Sequence, residues 1–263
     1  MVKKIKTNGN PTTLEIRVES RKEVTLALIV SDAEQKNTLY TKRTGVVNGV
    51  VSFFVRMPQS PRVAKVVVFN QARGLMKRDN SYKIVSIKQV PLRTINLPMS
   101  KQTKSFVKFA QEFSQEAGVL SATKGGDTYK SNNGKFRIDY FDIIRSKMSG
   151  YPLSTPARIS QINGKIEVGK GKFQKYTIPM RMAILMHEYS HFYLNRSPSD
   201  ESEADLNGLR VYLSLGYPRI DAYNVFLKVF KKAPNQQNRE RYENLDNFIK
   251  EFRTKFEKGN YEQ

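Results

Sequence analysis

Over the first third of the chain, apolar and polar residues alternate with a period of two. Leu14, Ile16 and Val18 stand between polar neighbours, and residues 24–30 form a nearly continuous apolar run. The first pattern predicts a half-buried strand and the second a fully buried one. Further on, Asn48-Gly49 separates two β-branched stretches, Gly45-Val-Val and Val50-Val51. An Asn-Gly pair in that setting predicts a two-residue hairpin, because both turn residues must take positive φ. Residues 63–69 and 82–90 add strands bounded by Pro, Gly or Asn, so residues 11–98 predict six or seven short strands. Beyond Pro91 and Pro98 the period changes. Phe106, Phe109, Ala110, Phe113 and Ala117 follow helical i, i+3, i+4 spacing, and Gly118 sits where a helix would end. Residues 119–176 read as mixed, with short strands near 119–123, 135–144 and 165–168. From residue 177 onward the pattern is helical. Thr177 with Pro179 opens one helix to about Leu194, and Ser197 with Pro198 opens a second that ends at Gly216-Tyr-Pro218. A third covers about 219–231, and Tyr242, Leu245, Ile249, Phe252 and Phe256 form the apolar stripe of a fourth.

These elements predict an α+β chain in two parts. Residues 1–98 read as an immunoglobulin-like β-sandwich serving as a docking or adaptor domain, and residues 99–263 as a mostly helical domain. Composition narrows the function classes. The 263 residues contain no cysteine, which excludes a disulfide scaffold, thiolate metal ligands and a cysteine nucleophile. The longest apolar run, near residues 26–30, is far short of the ~18 residues of a membrane span. The basic start, Met1-Val-Lys-Lys-Ile-Lys, has no apolar core behind it, so no secretory signal is expected and the cytoplasm of the producing cell is. The net charge of +21 is unevenly placed. Residues 1–100 carry 18 Lys and Arg against 6 acids, residues 101–180 carry 14 against 6, and residues 181–263 carry 13 against 12. A surface of that sign attracts polyanions, so the first domain is expected to meet an acidic protein partner or nucleic acid.

The chemistry is concentrated in His187-Glu188-Tyr189-Ser190-His191, whose two histidines are the only ones in the chain. On a helix, a spacing of four puts both imidazoles on one face, where they can share a metal ion, with Glu188 beside them to take a proton from water. Zinc needs a third protein ligand, and with no other histidine or cysteine it must be a carboxylate. An acidic cluster follows directly: Asp200-Glu201-Ser202-Glu203-Ala204-Asp205. At 100° per residue Glu201, Asp205, Gly208 and Tyr212 share a face, and Glu203 points nearly opposite. Glu201 and Asp205 would then look at the same place, one as ligand and the other as acceptor for a histidine N–H. Gly208 would let this helix approach the histidine helix closely. Acids in this position also suit the positive end of a helix without any metal.

The H-E-x-x-H helix followed by Glu201-x-x-Ala204-Asp205 resembles the gluzincin metallopeptidases. The resemblance covers about residues 160–217 and implies a zincin-like domain that hydrolyses peptide bonds in a protein or peptide substrate. It implies Zn2+ held by His187, His191 and Glu201, with Glu188 as general base and Asp205 orienting a histidine. It also implies an edge strand ahead of the active helix that pairs with substrate, and Gly164-Lys-Ile-Glu-Val-Gly169 fits that position. Tyr212 and Tyr223 are the candidates for stabilising the oxyanion. The layout as a whole also resembles particle proteins of phages, in particular ring or tail proteins of crAss-like phages. That resemblance implies a virion component, a homo-oligomeric ring, and a zincin-like domain kept as a building block.

Overall fold

The computed structural model describes residues 1–75, 79–230 and 235–258. The chain divides into two compact units, Met1–Thr94 and Ile95–Gln263. The break lies just ahead of Pro98, and Ile95 belongs to the second unit because its N–H donates to the carbonyl of Ser214, 2.9 Å away.

The first unit is built from five strands: β1 (Val2–Lys6), β2 (Thr12–Asp32), β3 (Leu39–Met57), β4 (Val63–Asn70) and β5 (Lys83–Val90). They form one antiparallel sheet, not the two separate sheets of an immunoglobulin-like sandwich. The 21-residue β2 organises it. Along one edge β2 pairs with β3 over its whole length; along the other its first half pairs with β5 and its second with β4. The expected Asn48-Gly49 hairpin does not form. Gly49 instead pairs with Ser20 and Val47 with Val24, with residues 21–23 bulged out opposite, and the positive φ of Gly49 (72°) bends β3 inside the strand. The competing partner explains the outcome. The apolar runs 14–18 and 26–30 on β2 need one long neighbour, and β3 serves both. The bend is sharp: a Cβ on Gly45 would lie 2.7 Å from the ring of Phe53. Eight residues of straight strand would hold those positions roughly 26 Å apart. Bending lets the sheet cover its own apolar face. Leu14, Ile16, Val18, Leu26 and Val30 are all fully buried although no helix occurs among the described residues of this unit.

The second unit is not mostly helical, which corrects the other half of the expectation. It holds α1 (Lys101–Glu116), a four-stranded mixed sheet, α2 (Lys170–Phe173), α3 (Ile178–Tyr193), α4 (Glu201–Ser214), α5 (Arg219–Phe230) and α6 (Gln236–Phe252). Helix and strand take nearly equal shares of the described residues, and α+β remains the right class. The last residue of the expected third helix, Lys231, lies outside the described residues. The sheet strands are β6 (Asp127–Lys130), β7 (Arg137–Phe141), β8 (Ala157–Ile159) and β9 (Ile166–Gly169), in the order β6-β7-β9-β8. The pair β7 and β9 is parallel and the two outer pairings are antiparallel. Strands this short, with one to three apolar residues each, give almost no periodic signal, which is why β6 and β8 escape a reading of the pattern. The stretch expected as a strand at 119–123 makes only an isolated bridge from Thr123 to Phe141.

Helix α3 is the spine of this unit. Ile178 to Met186 are buried without interruption, as expected of a helix apolar all round. Its N-cap Thr177 accepts from the N–H of Met180 and donates to Asp221 at the start of α5, 2.7 Å away. The fully buried Arg181 donates to the carbonyls of Ser114, Phe173 and Gln174 at 2.7, 3.2 and 2.8 Å. Those carbonyls lie at the C-terminal ends of α1 and α2, whose negative dipole ends suit a guanidinium. The start of α3 is thus anchored from three directions, and the motif two turns on is held at a defined height over the sheet.

Candidate metal centre

Both histidines project from one face of α3 with rings almost perpendicular (89°) and centroids 4.7 Å apart. Helix α4 supplies the carboxylates. It begins at Glu201, later than the Ser197-Pro198 start expected, because Asp200 is the N-cap and accepts from the N–H of Glu203 at 2.9 Å. Residues 195–200 turn tightly: the Asn195 N–H donates to Ser190, and the Asn195 amide donates to the Asp200 carbonyl. Glu203, which faces away from the histidines, accepts from the N–H groups of Arg196 and Ser197 at 3.0 and 3.4 Å and stabilises that turn. The helices α3 and α4 touch backbone to backbone. A Cβ on Gly208 would lie 2.9 Å from the Met186 carbonyl and the His187 nitrogen, so only glycine permits this approach.

Four candidate ligand atoms converge, one nitrogen from each histidine and both oxygens of Glu201. His187 Nε2 and His191 Nε2 are 3.1 Å apart, Glu201 Oε2 is 3.5 Å from the first, and Glu201 Oε1 is 3.6 Å from the second. A tetrahedral zinc with bonds near 2.0–2.1 Å sets its ligand atoms about 3.3 Å from one another. The three spacings are close to that value, and among the described residues this trio is the cluster able to hold a metal ion. The far side of each ring fixes which nitrogen is free. His191 Nδ1 donates to the Pro198 carbonyl at 2.8 Å, and His187 Nδ1 faces Asp205 Oδ1 at 2.9 Å. That Nδ1 and that Oδ1 are buried, and neither has another partner. In the neutral ring each contact leaves the lone pair on Nε2, directed at the shared point. Of the expected site residues, the structure brings together His187, His191, Glu201 and Asp205.

The carboxylates favour positive charge at that point, either a proton on His187 or a metal ion that displaces it. Burial works against a charged His187, but Asp205 and Glu201 outweigh it and raise its pKa to about 10. Glu201, bonded to His187 and near Arg241, is held down at about 2. Burial and the positive charge on His187 lower His191. Glu188, on the same helix, is buried, and desolvation pushes its carboxyl up to about 7 despite a hydrogen bond from the Ile159 N–H.

The histidines, Glu188 and Glu201 line a cleft of about 520 Å3 walled by α3, α5, α6 and β8. Its apolar side comprises Ala157, Ile159, Ala183, Ile184, Val225 and Phe226. The strand beside the cleft is β8 and not residues 164–169, since β9 lies inside the sheet with β7 and β8 on its two sides. The alternation at 166–169 marks a buried central strand; the edge strand is three residues long and gave no pattern. Neither tyrosine candidate reaches the cleft. Tyr212 is buried, stacks on Tyr217 and donates to the Pro218 carbonyl, while Tyr223 donates to Asp246 at 2.6 Å. Arg158, Tyr176 and Arg241 are the cleft residues the motif could not announce. They lie 11 to 50 residues from the nearer histidine, and one sequence holds no signal for that juxtaposition.

No protein-family model, no curated protein and no solved structure matches this chain. No helix among the described residues is long and apolar enough to cross a membrane.

Proposed function

We propose that the second unit is a zinc-dependent peptidase domain of the gluzincin type. The observation that carries this reading is the convergence of His187 Nε2 and His191 Nε2, 3.1 Å apart, on the Glu201 carboxylate, whose Oε2 is 3.5 Å from the first and whose Oε1 is 3.6 Å from the second. A bound zinc ion would act there as a Lewis acid, polarising a carbonyl and making water more acidic. The chain's own groups supply the rest. Glu188 lies in the cleft with its carboxyl tuned close to neutrality, suited to take a proton from water and to pass it to the leaving amine. Asp205 and the Pro198 carbonyl take the Nδ1 side of both histidines, so each would bind metal through Nε2 once that nitrogen has lost its proton. The N–H of Ile159 places Glu188 against β8, and the outer edge of that strand offers backbone groups to an extended peptide.

The test is hydrolysis of an unfolded protein such as casein by the full chain, with Glu188→Gln beside it. Zinc in both and turnover only in the wild type supports the reading. Turnover that survives Glu188→Gln overturns the mechanism. Zinc without turnover in either favours a zincin-like domain kept as a structural block, the arrangement suggested by the likeness to phage ring and tail proteins.

A further inference from the structure

The cleft contains two arginines that the motif does not account for: Arg158, which pairs with Glu167 in the sheet, and Arg241, which reaches the carboxylates of the site. Arg241 lies on α6, is 8% exposed, and spans two carboxylates of α4 with neighbouring nitrogens of one guanidinium. Its Nε donates to Asp205 Oδ2 at 2.8 Å and its Nη2 stands 3.0 Å from Glu201 Oε2. Glu201 needs such a hold more than the histidines do. It is the first residue of α4, and its side chain is 43% exposed against 16% for His187 and 7% for His191. A half-exposed glutamate at a helix start has several rotamers open to it, and most point it into solvent.

We propose that Arg241 is a positioning residue that sets the metal affinity of the site. By engaging Oε2 it holds the Glu201 carboxylate over the two Nε2 atoms, with Oε1 turned to His191. By engaging Oδ2 it leaves Asp205 Oδ1 for His187 Nδ1. One guanidinium thus orders a ligand and the group that orients another, and only a planar fork of donors can do both. Because Arg241 belongs to α6 and both carboxylates to α4, the same contacts fasten the last long helix to the site. Metal binding and the seating of α6 are therefore coupled, and the coupling is reciprocal. This inference rests on the reading of the trio as a zinc site.

The experiment uses the full chain as wild type, Arg241→Met and Arg241→Lys. Zinc affinity is measured by competition with a chromophoric chelator, and the cobalt(II) form by its visible absorption. Thermal unfolding is followed with and without zinc. Arg241→Met is expected to keep the helical and strand signal of the wild type, to bind zinc tenfold to a hundredfold more weakly, and to lose intensity in the cobalt spectrum. Its stabilisation by a fixed zinc concentration should shrink accordingly. Arg241→Lys keeps the charge but cannot bridge both carboxylates, so its affinity should fall between the other two. Should the Met variant fail to fold, the Lys variant decides alone. Wild-type affinity and an unchanged cobalt spectrum in the folded variants overturn the role of Arg241 while leaving the zinc site standing. A wild type that takes up no zinc overturns the zinc site, and the role of Arg241 with it.

Discussion

At the scale of single residues, the centre depends on atoms that touch no metal. Gly208 is the sharpest case. A methyl group there would sit 2.9 Å from the backbone of Met186 and His187, a distance real Cβ atoms avoid, so α3 and α4 would have to separate. Gly208→Ala is expected to cost about 1–3 kcal/mol in denaturant unfolding, the range for overpacking, and to weaken zinc binding because the ligands sit on the two helices being parted. Unchanged stability together with unchanged affinity would show that the approach is looser than described. The residue scale is also where the sequence was most informative. The pair His187 and His191, with Glu201 and Asp205 a turn apart on the next helix, were legible because helical geometry alone puts them on common faces. Arg241 and the Pro198 carbonyl were not. One lies 36 residues beyond Asp205 on another helix, and the other is a backbone atom placed by a turn that has no side-chain signature.

At the scale of elements, α3 is held by a buried cation and the sheet by a row of charges. Arg181 satisfies three carbonyls at the ends of α1 and α2. Arg181→Met would leave those acceptors buried without their donor and should destabilise the second unit by about 3 kcal/mol. An unaltered unfolding midpoint would contradict this. Across the sheet, Asp139 lies 2.7 Å from Arg137 and 3.0 Å from Lys165, and Glu167 lies 2.6 Å from Arg158. Burial raises the pKa of Asp139, but hydrogen bonds from Arg137, Lys165 and Thr128 outweigh it and hold the carboxyl below its ordinary range. A lowered folded pKa means stability that is present above the unfolded value of about 3.9 and is lost as pH falls through the folded one. Asp139→Asn should therefore be less stable than wild type at neutral pH, with the difference closing in acid. A difference independent of pH would assign the loss to packing. Strand pairing was the least legible level. Of the Asn48-Gly49 pair only Gly49 takes positive φ, because a long partner strand outcompeted the local hairpin. Tertiary pairing decides between the two uses, and no window of a few residues contains it.

At the scale of the whole molecule, basic charge and candidate chemistry lie at opposite ends of the sequence. Residues 1–100 have 18 basic side chains against 6 acidic, while the last 83 residues, which hold the trio, are almost balanced. Lys3, Lys4, Lys6, Lys42, Lys65, Lys83 and Lys88 are exposed on the first unit. Changing four or more of them to Gln should weaken retention on an anionic matrix such as heparin and leave zinc content as it was. Loss of zinc in that variant would mean the two units do not divide the work. The period changes near Pro98, a few residues after the break between Thr94 and Ile95, whereas the mixed sheet of the second unit leaves little mark on the pattern, because its strands have three to five residues. The central claim is that His187, His191 and Glu201 form a zinc site, and the zinc content of the purified full chain tests it most directly. One zinc per chain in the wild type and a marked loss in His187→Ala, with folding intact by circular dichroism, is the result expected. A wild type without zinc, or zinc retained in full after His187→Ala, would contradict it.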